Sequence, residues 1–171
     1  ISINNKKMQG ADFLRTLNNL GGSFGIGRSV FSSDTIIGLK GRFVFEAPGI
    51  EILMSAHRAL EEAVLTDKQN LVKTQIGQEW VNLVYRGFYF EPLRENLEAF
   101  LLDSQKMVSG EVTLKLSPGS VDAVAVSSKN ILKSPEGEYA QSATWSESES
   151  KGFIKLIGQS TSTWASIHKK K

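Results

Sequence analysis

Apolar residues recur along this chain with a spacing that switches between two and three-to-four residues, and each switch marks an expected element. Ile1 and Ile3 alternate with polar neighbours ahead of Asn4-Asn5, which predicts a short strand beside a turn. Phe13, Leu14, Leu17 and Leu20 fall on one helical face, which Gly21-Gly22 is expected to stop. From Gly25 to Glu46 β-branched and aromatic residues stand between glycines, predicting two strands around Gly38–Gly41. Pro48 suits the first turn of a helix over 49–65, with a buried stripe of Leu53, His57, Leu60 and Val64. Thr66 and Gln69 form a capping-box pattern that opens a third helix carrying Val72, Ile76, Trp80 and Val84. The run YRGFYFEP breaks it, and Pro92 opens a fourth helix with Leu93, Leu97, Phe100 and Leu101.

The stretch GEVTLKLSPGSVDAVAV predicts a hairpin over 111–127 turning at Pro118-Gly119. That register sets Leu116 opposite Val121, Leu114 opposite Ala123 and Val112 opposite Ala125, with Lys115 facing Asp122 on the other side. SESESKG reads as a polar loop. Phe153, Ile157 and Trp164 are then spaced helically, but Ser and Thr fill the gaps, so a helix there needs something to pack on. The expected class is α+β: helices packed on a small, mostly antiparallel sheet, with a helix at the end.

Composition narrows this picture only slightly. With 171 residues, 40% hydrophobic and 22% charged, the chain has the make-up of an ordinary globular domain and can bury about 70% of its unfolded surface. A net charge of +2 is too small to argue for a nucleic-acid surface, and no nucleic-acid partner is expected; the terminal run Lys169-Lys170-Lys171 reads as a solvated tail. No apolar run reaches the length that spans a bilayer, so no membrane association is expected. The absence of cysteine removes disulfides, thiolate zinc sites and thiol catalysis, and is compatible with a reducing compartment. Beginning at Ile1, the chain reads like an internal portion of a larger protein.

Candidate chemistry is sparse. Gly22, Gly25 and Gly27 follow a helix and precede a strand, the reverse of the strand–turn–helix order that a phosphate fingerprint needs, so close backbone packing is favoured. The two histidines, His57 and His168, lack spacing to any carboxylate set that would complete a metal site, and none is expected. His57 reads as a packed histidine bonded to the backbone. Glu61-Glu62 and the pair Glu95 and Glu98 read as solvated helix faces. Lys40 and Arg42 alternate on a strand and so project together, which could hold an anionic substrate or an acidic neighbouring domain, or form surface ion pairs.

Five segments in order carry a resemblance: LNNLGGSFGIGR, GLKGRFVFEAPG, SAHRALEEAVL, LVYRGFYFEP and GFIKL. Together they resemble the C-terminal, synthetase half of argininosuccinate synthase, over nearly the full chain. The resemblance implies a cytoplasmic, homotetrameric ligase of arginine biosynthesis that couples citrulline to aspartate. The ureido oxygen attacks the α-phosphate of ATP, pyrophosphate leaves, and the aspartate amine displaces AMP. It further implies that ATP, with magnesium, is held mainly by an N-terminal half absent from this chain, so that the segment alone is inactive and supplies no catalytic residue. Residues 1–150 correspond to the synthetase part that forms the citrulline pocket, and 151–171 to an oligomerisation helix.

The resemblance breaks at the substrate wall. Counting back from Gly38-x-Lys40-x-Arg42, the family's citrulline-binding Glu falls on Ser33 and its citrulline-binding Tyr on Phe45, while Asp34 stands one position along. Ser33, Phe45, Asp34, Lys40 and Arg42 are therefore the candidate substrate-binding residues. Both substitutions remove polarity. Three readings stay open: an N-acylated citrulline whose α-nitrogen needs no carboxylate, a local shift that lets Asp34 replace the Glu, or a degenerate site. The last would make the chain a non-catalytic binding or assembly module that kept the fold.

Overall fold

The computed structural model describes residues 1–132 and 144–169. The chain forms two compact units, Ile1–Leu132 and Lys133–Lys171. Among the described residues the strands make three separate two-stranded antiparallel ribbons, set among helices in an α+β arrangement.

In the first unit, Asn4 and Asn5 both take left-handed backbone angles, φ 49° and 64°, the geometry of a tight type I′ hairpin turn. They fold β1 (Ser2–Ile3) onto β2 (Lys6–Lys7). Helix α1 (Gly10–Ser23) buries Phe13 and Leu17. It does not stop at Gly21-Gly22 but runs through them. A Cβ on Gly21 would lie 2.7 Å from the Cβ of Pro48, so the glycine marks where the next helix is received. Ile26, in the loop that follows, is 2% exposed, and it joins Phe13, Leu17 and Ile52 in the main core cluster.

Strands β3 (Arg28–Asp34) and β4 (Lys40–Glu46) form the second ribbon, with Gly38 at φ 82° in its turn. Helix α2 (Pro48–Val64) starts with proline as expected, and its N-terminal amides are partly satisfied from outside: Gly49 N–H donates to Asn18 Oδ1 of α1 at 2.8 Å. Its buried stripe is Ile52, Leu60, Glu61 and Val64, with Leu53 half-buried. His57 is exposed rather than packed, and it bonds a side chain instead of the backbone. Helix α3 (Asp67–Tyr85) opens on the expected capping box between Thr66 and Gln69, and α4 (Pro92–Ser104) opens on Pro92. Gly87 at φ 85° makes the break between them.

The third ribbon, β5 (Glu111–Ser117) with β6 (Ser120–Ser127), lies against α2. Leu116↔Val121, Lys115↔Asp122 and Leu114↔Ala123 pair as expected. Beyond them a register shift between Thr113 and Leu114 sets Thr113 against Ala125 and Val112 against Val126, so the expected Val112–Ala125 pair does not form. One extra residue on β6, Val124, is the cause, as in a β-bulge. The β5–β6 turn is tied to the loop after α1 by Gly119 N–H donating to Phe24 O at 2.7 Å.

In the second unit, the stretch expected as a polar loop is the start of a helix. Helix α5 (Glu147–Ile157) begins on a capping box: Ser146 Oγ accepts from Glu149 N–H, and Glu149 Oε2 accepts from Ser146 N–H at 2.7 Å. Ser-x-x-Glu satisfies the free amides locally, which outweighs the modest helix propensity of the serines. Helix α6 (Gln159–His168) follows after Gly158. Of the basic run, Lys170 and Lys171 lie outside the described residues.

Candidate functional site

The β3–β4 ribbon carries every candidate substrate-binding residue and sorts them into two groups. Its ladder is regular from Arg28↔Glu46 to Asp34↔Lys40. Directly opposed residues of an antiparallel pair share a face, and neighbours along a strand do not. One face therefore carries Ser29, Phe31 and Ser33 with Gly41, Phe43 and Phe45. The other carries Arg28, Val30, Ser32 and Asp34 with Lys40, Arg42, Val44 and Glu46. Ser33 and Phe45 thus share a face but stand four ladder positions apart, about 13 Å along the ribbon, because Ser33 pairs with Gly41 and Phe45 with Ser29. Asp34, Lys40 and Arg42 stand behind that face.

The two faces differ in chemistry. On the back, Arg28 Nε meets Glu46 at 2.9 Å and Lys40 Nζ meets Asp34 at 2.6 Å, so two cross-strand ion pairs bracket Val30 and Val44. Each is largely solvated and adds at most about 1 kcal/mol. Lys40 is thereby engaged, while Arg42 makes no ion pair among the described residues. On the front, the Phe31 and Phe45 rings meet edge-on at 5.8 Å. The Phe43 ring lies over Gly41, where a Cβ would come within 2.5 Å of it, and Gly41 is the partner of Ser33. Ser33 is exposed, and its hydroxyl makes only a long 3.4 Å bond to the Asp34 carbonyl. The front is an open aromatic wall with one lightly engaged hydroxyl.

The glycines before this ribbon do not fit a phosphate. Phe24 and Ile26 donate their N–H groups to Gly21 O, and Gly25 donates to Gly22 O. The loop sits at the C-terminal, carbonyl end of α1, where the helix field is negative and repels anions. Gly25 and Gly27 are left-handed, at φ 68° and 77°, and a Cβ on Gly27 would come within 2.7 Å of the Ala47 and Pro48 backbone. Close packing accounts for them.

Two charged clusters escaped the sequence reading. Glu61 is buried, not solvated. Its Oε1 accepts from Lys73 Nζ of α3 at 2.7 Å and from Gln105 Nε2, in the short 3-10 turn (Gln105–Met107) after α4, also at 2.7 Å. Gln105 Oε1, the side-chain amide oxygen, accepts from His57 Nε2 at 2.9 Å. The signal was present in the spacing, since Glu61 precedes the buried Val64 and Leu65 by three and four residues. Arg94 is likewise buried, stacked 4.5 Å from the Tyr89 ring and bonded to the Tyr89 carbonyl. It also pairs with Glu98 and Glu95, whose side chains stay 42% and 73% exposed, so these two lie on a solvated face while holding the buried Arg94. The Glu61 cluster joins α2, α3 and the turn after α4, the Arg94 cluster ties α4 to the loop before it, and both lie away from the ribbon's faces in sequence and in bonding.

Hollows lie elsewhere. One of about 390 Å³ opens between α1, α2 and β5, lined by Phe13, Leu17, Ile52, Leu53 and Leu114, and one of about 420 Å³ lies along α5 beside Trp145 and Phe153. Neither is lined by a candidate residue. Among the described residues, no helix is long and apolar enough to cross a membrane, and no three His, Asp or Glu side chains cluster as metal ligands do.

The family model for the arginosuccinate synthase C-terminal domain matches residues 1–164. The chain belongs to this family. Argininosuccinate synthase of Xanthomonas campestris pv. campestris is 50% identical over 169 residues, covering 99% of this chain and 43% of the relative. The synthase of Xylella fastidiosa is 48% identical, covering 99% and 42%, and that of Chlorobaculum parvum 36%, covering 98% and 42%. The chain therefore spans about two fifths of the length of these relatives. The order of segments read from the sequence is that of this domain.

Proposed function

We propose that the chain works as the C-terminal part of an argininosuccinate synthase. In this reading the complete protein joins a citrulline-type ureido amino acid to aspartate in arginine biosynthesis, with ATP leaving as AMP and pyrophosphate. The observation that carries it is 50% identity across 99% of the chain to an argininosuccinate synthase. The β3–β4 ribbon supplies one wall of the amino-acid pocket, with Ser33 and Phe45 toward the ligand. The Asp34–Lys40 pair stiffens the turn behind, and Arg42, on that back face, is open to an acidic neighbouring surface.

A single open wall cannot close around a substrate or exclude water, and the glycine loop does not fit a nucleotide phosphate. Both points support placing the ATP site, with its magnesium, in the remaining three fifths of such a protein, and expecting no turnover from this segment alone. Exposed Phe153, Ile154 and Ile157 on α5 with Trp164 and Ile167 on α6 support subunit contacts through residues 151–171. In this reading the assembly is a cytoplasmic homotetramer, which follows from the family assignment and not from these residues.

The test is pyrophosphate release by the complete natural chain with ATP, aspartate and citrulline or N-acylated citrullines. Release that needs both aspartate and a ureido substrate is the expected result. No release with any of them would leave the non-catalytic assembly module as the better reading.

A further inference from the structure

The front of the β3–β4 ribbon raises a question about what it can hold, resting on the assignment of that face to the amino-acid pocket. A free citrulline brings a cationic α-ammonium, which is stabilised by a carboxylate or by several strong acceptors. The front offers Ser29, Phe31, Ser33, Gly41, Phe43 and Phe45, with no charged residue in the set. Asp34 is the nearest carboxylate in sequence, but the ladder is unshifted through Ser33↔Gly41 and Asp34↔Lys40, so Asp34 points to the back and is paired there with Lys40 at 2.6 Å. A bulge that would bring it round is absent from this ribbon. The nearest cations, Lys40 and Arg42, are on the back as well, so a negatively charged acyl tail would also find no partner on the front.

We propose that this wall selects a citrulline whose α-nitrogen is acylated by a short uncharged group. An amide N–H is neutral and needs one acceptor, which the Ser33 hydroxyl supplies. The acyl carbon lies against the Phe43 ring, which leans over Gly41 directly opposite Ser33, with Phe31 the next residue along the same face, so burial of a methyl adds apolar contact. Ser33, backed by Phe43, is then a specificity-determining residue, and the rest of the reaction is unchanged because the ureido end is remote from the α-nitrogen.

The experiment compares kcat/KM of the complete natural chain for citrulline, N-acetylcitrulline and N-succinylcitrulline, with ATP and aspartate fixed. At least a tenfold preference for N-acetylcitrulline over both others is expected. Citrulline used as well as the acetyl form overturns the proposal and leaves the synthase assignment standing, whereas no turnover of any of the three overturns both. A preference for the succinyl form overturns the uncharged-acyl assignment. Ser33→Glu is expected to move the acetyl-to-citrulline ratio at least tenfold toward citrulline, and Ser33→Gln, of similar bulk and no charge, is expected to move it severalfold less. Equal shifts in the two variants would assign the effect to bulk and overturn the charge argument. An unchanged ratio in Ser33→Glu removes Ser33 from the site. The ratio is measured within one preparation, so partial unfolding of a variant does not alter it.

Discussion

The two long ribbons are built from strands of nearly equal length and serve opposite ends. In β5–β6 the residues Val112, Leu114, Leu116 and Val121 are all partly buried, and Leu114, Leu116 and Val121 pack on the core of α1 and α2. In β3–β4 nearly every residue of both strands is exposed, including Phe31 at 51% and Val44 at 76%. The first ribbon is held by what it covers. The second is held by its ladder, its cross-strand ion pairs and its turn, and its aromatic face is left open for something else. An apolar face that the unit itself does not cover is a feature of binding surfaces rather than of cores.

The largest effect that would test this contrast is a pair of truncations. Ile52→Ala, at the core that β5–β6 covers, is expected to cost about 2–5 kcal/mol, whereas Val44→Ala on the open ribbon should stay within about 0.5 kcal/mol. Chemical denaturation measures both, and comparable losses would mean that β3–β4 is packed after all. Next comes Gly27→Ala, which places a Cβ against the Ala47 and Pro48 backbone in left-handed geometry. It should cost more than the roughly 1–2 kcal/mol of the conformation alone, because nothing there can yield. At Gly38, equally left-handed but in open space, Ala should cost only that conformational amount and Asn less. Equal losses at the two glycines would remove the packing argument.

Glu61 asks whether polar ties or apolar packing hold the helices around α2. Glu61→Ala leaves Lys73 and Gln105 without their acceptor and should cost about 1–3 kcal/mol, largely recovered when Lys73→Met is added. Additive losses in the double variant would show that the two do not depend on each other.

The smallest effect concerns α5, whose start, like β3–β4, depends on local bonds. The Ser146 backbone N–H, then its hydroxyl, holds the Glu149 carboxyl below its ordinary range. A lowered folded value means that the contribution is complete above the unfolded glutamate range, about pH 4.3, and is lost as pH falls through the folded value. The amide resonances of Ser146 and Glu149 should shift together in that window, and Glu149→Gln should abolish the transition. A transition that survives the substitution would assign it to another group.

Much of this was legible along the chain because it is local. The Asn4-Asn5 turn, the Thr66–Gln69 capping box, proline at the start of α2 and α4, and the Leu116, Lys115 and Leu114 pairs each depend on residues within a few positions of one another. The bulge at Thr113/Leu114 was not legible, since an unpaired residue leaves the alternation of small apolar side chains on β6 unbroken. Gly21-Gly22 looked like a helix stop because only the approach of Pro48 shows why a glycine belongs inside α1. Glu61 looked solvated because Lys73 and Gln105 arrive from distant parts of the chain.

By itself the sequence determined the order of elements through the 111–127 hairpin, the family and the identity of the unusual residues Ser33 and Phe45, because propensity, capping and motif order need no partner from afar. Only the tertiary structure decided which faces those residues share. A strand's side chains alternate with a period of two, and the regular ladder, not composition, places Ser33 beside the aromatic rings and turns Asp34 to the opposite side.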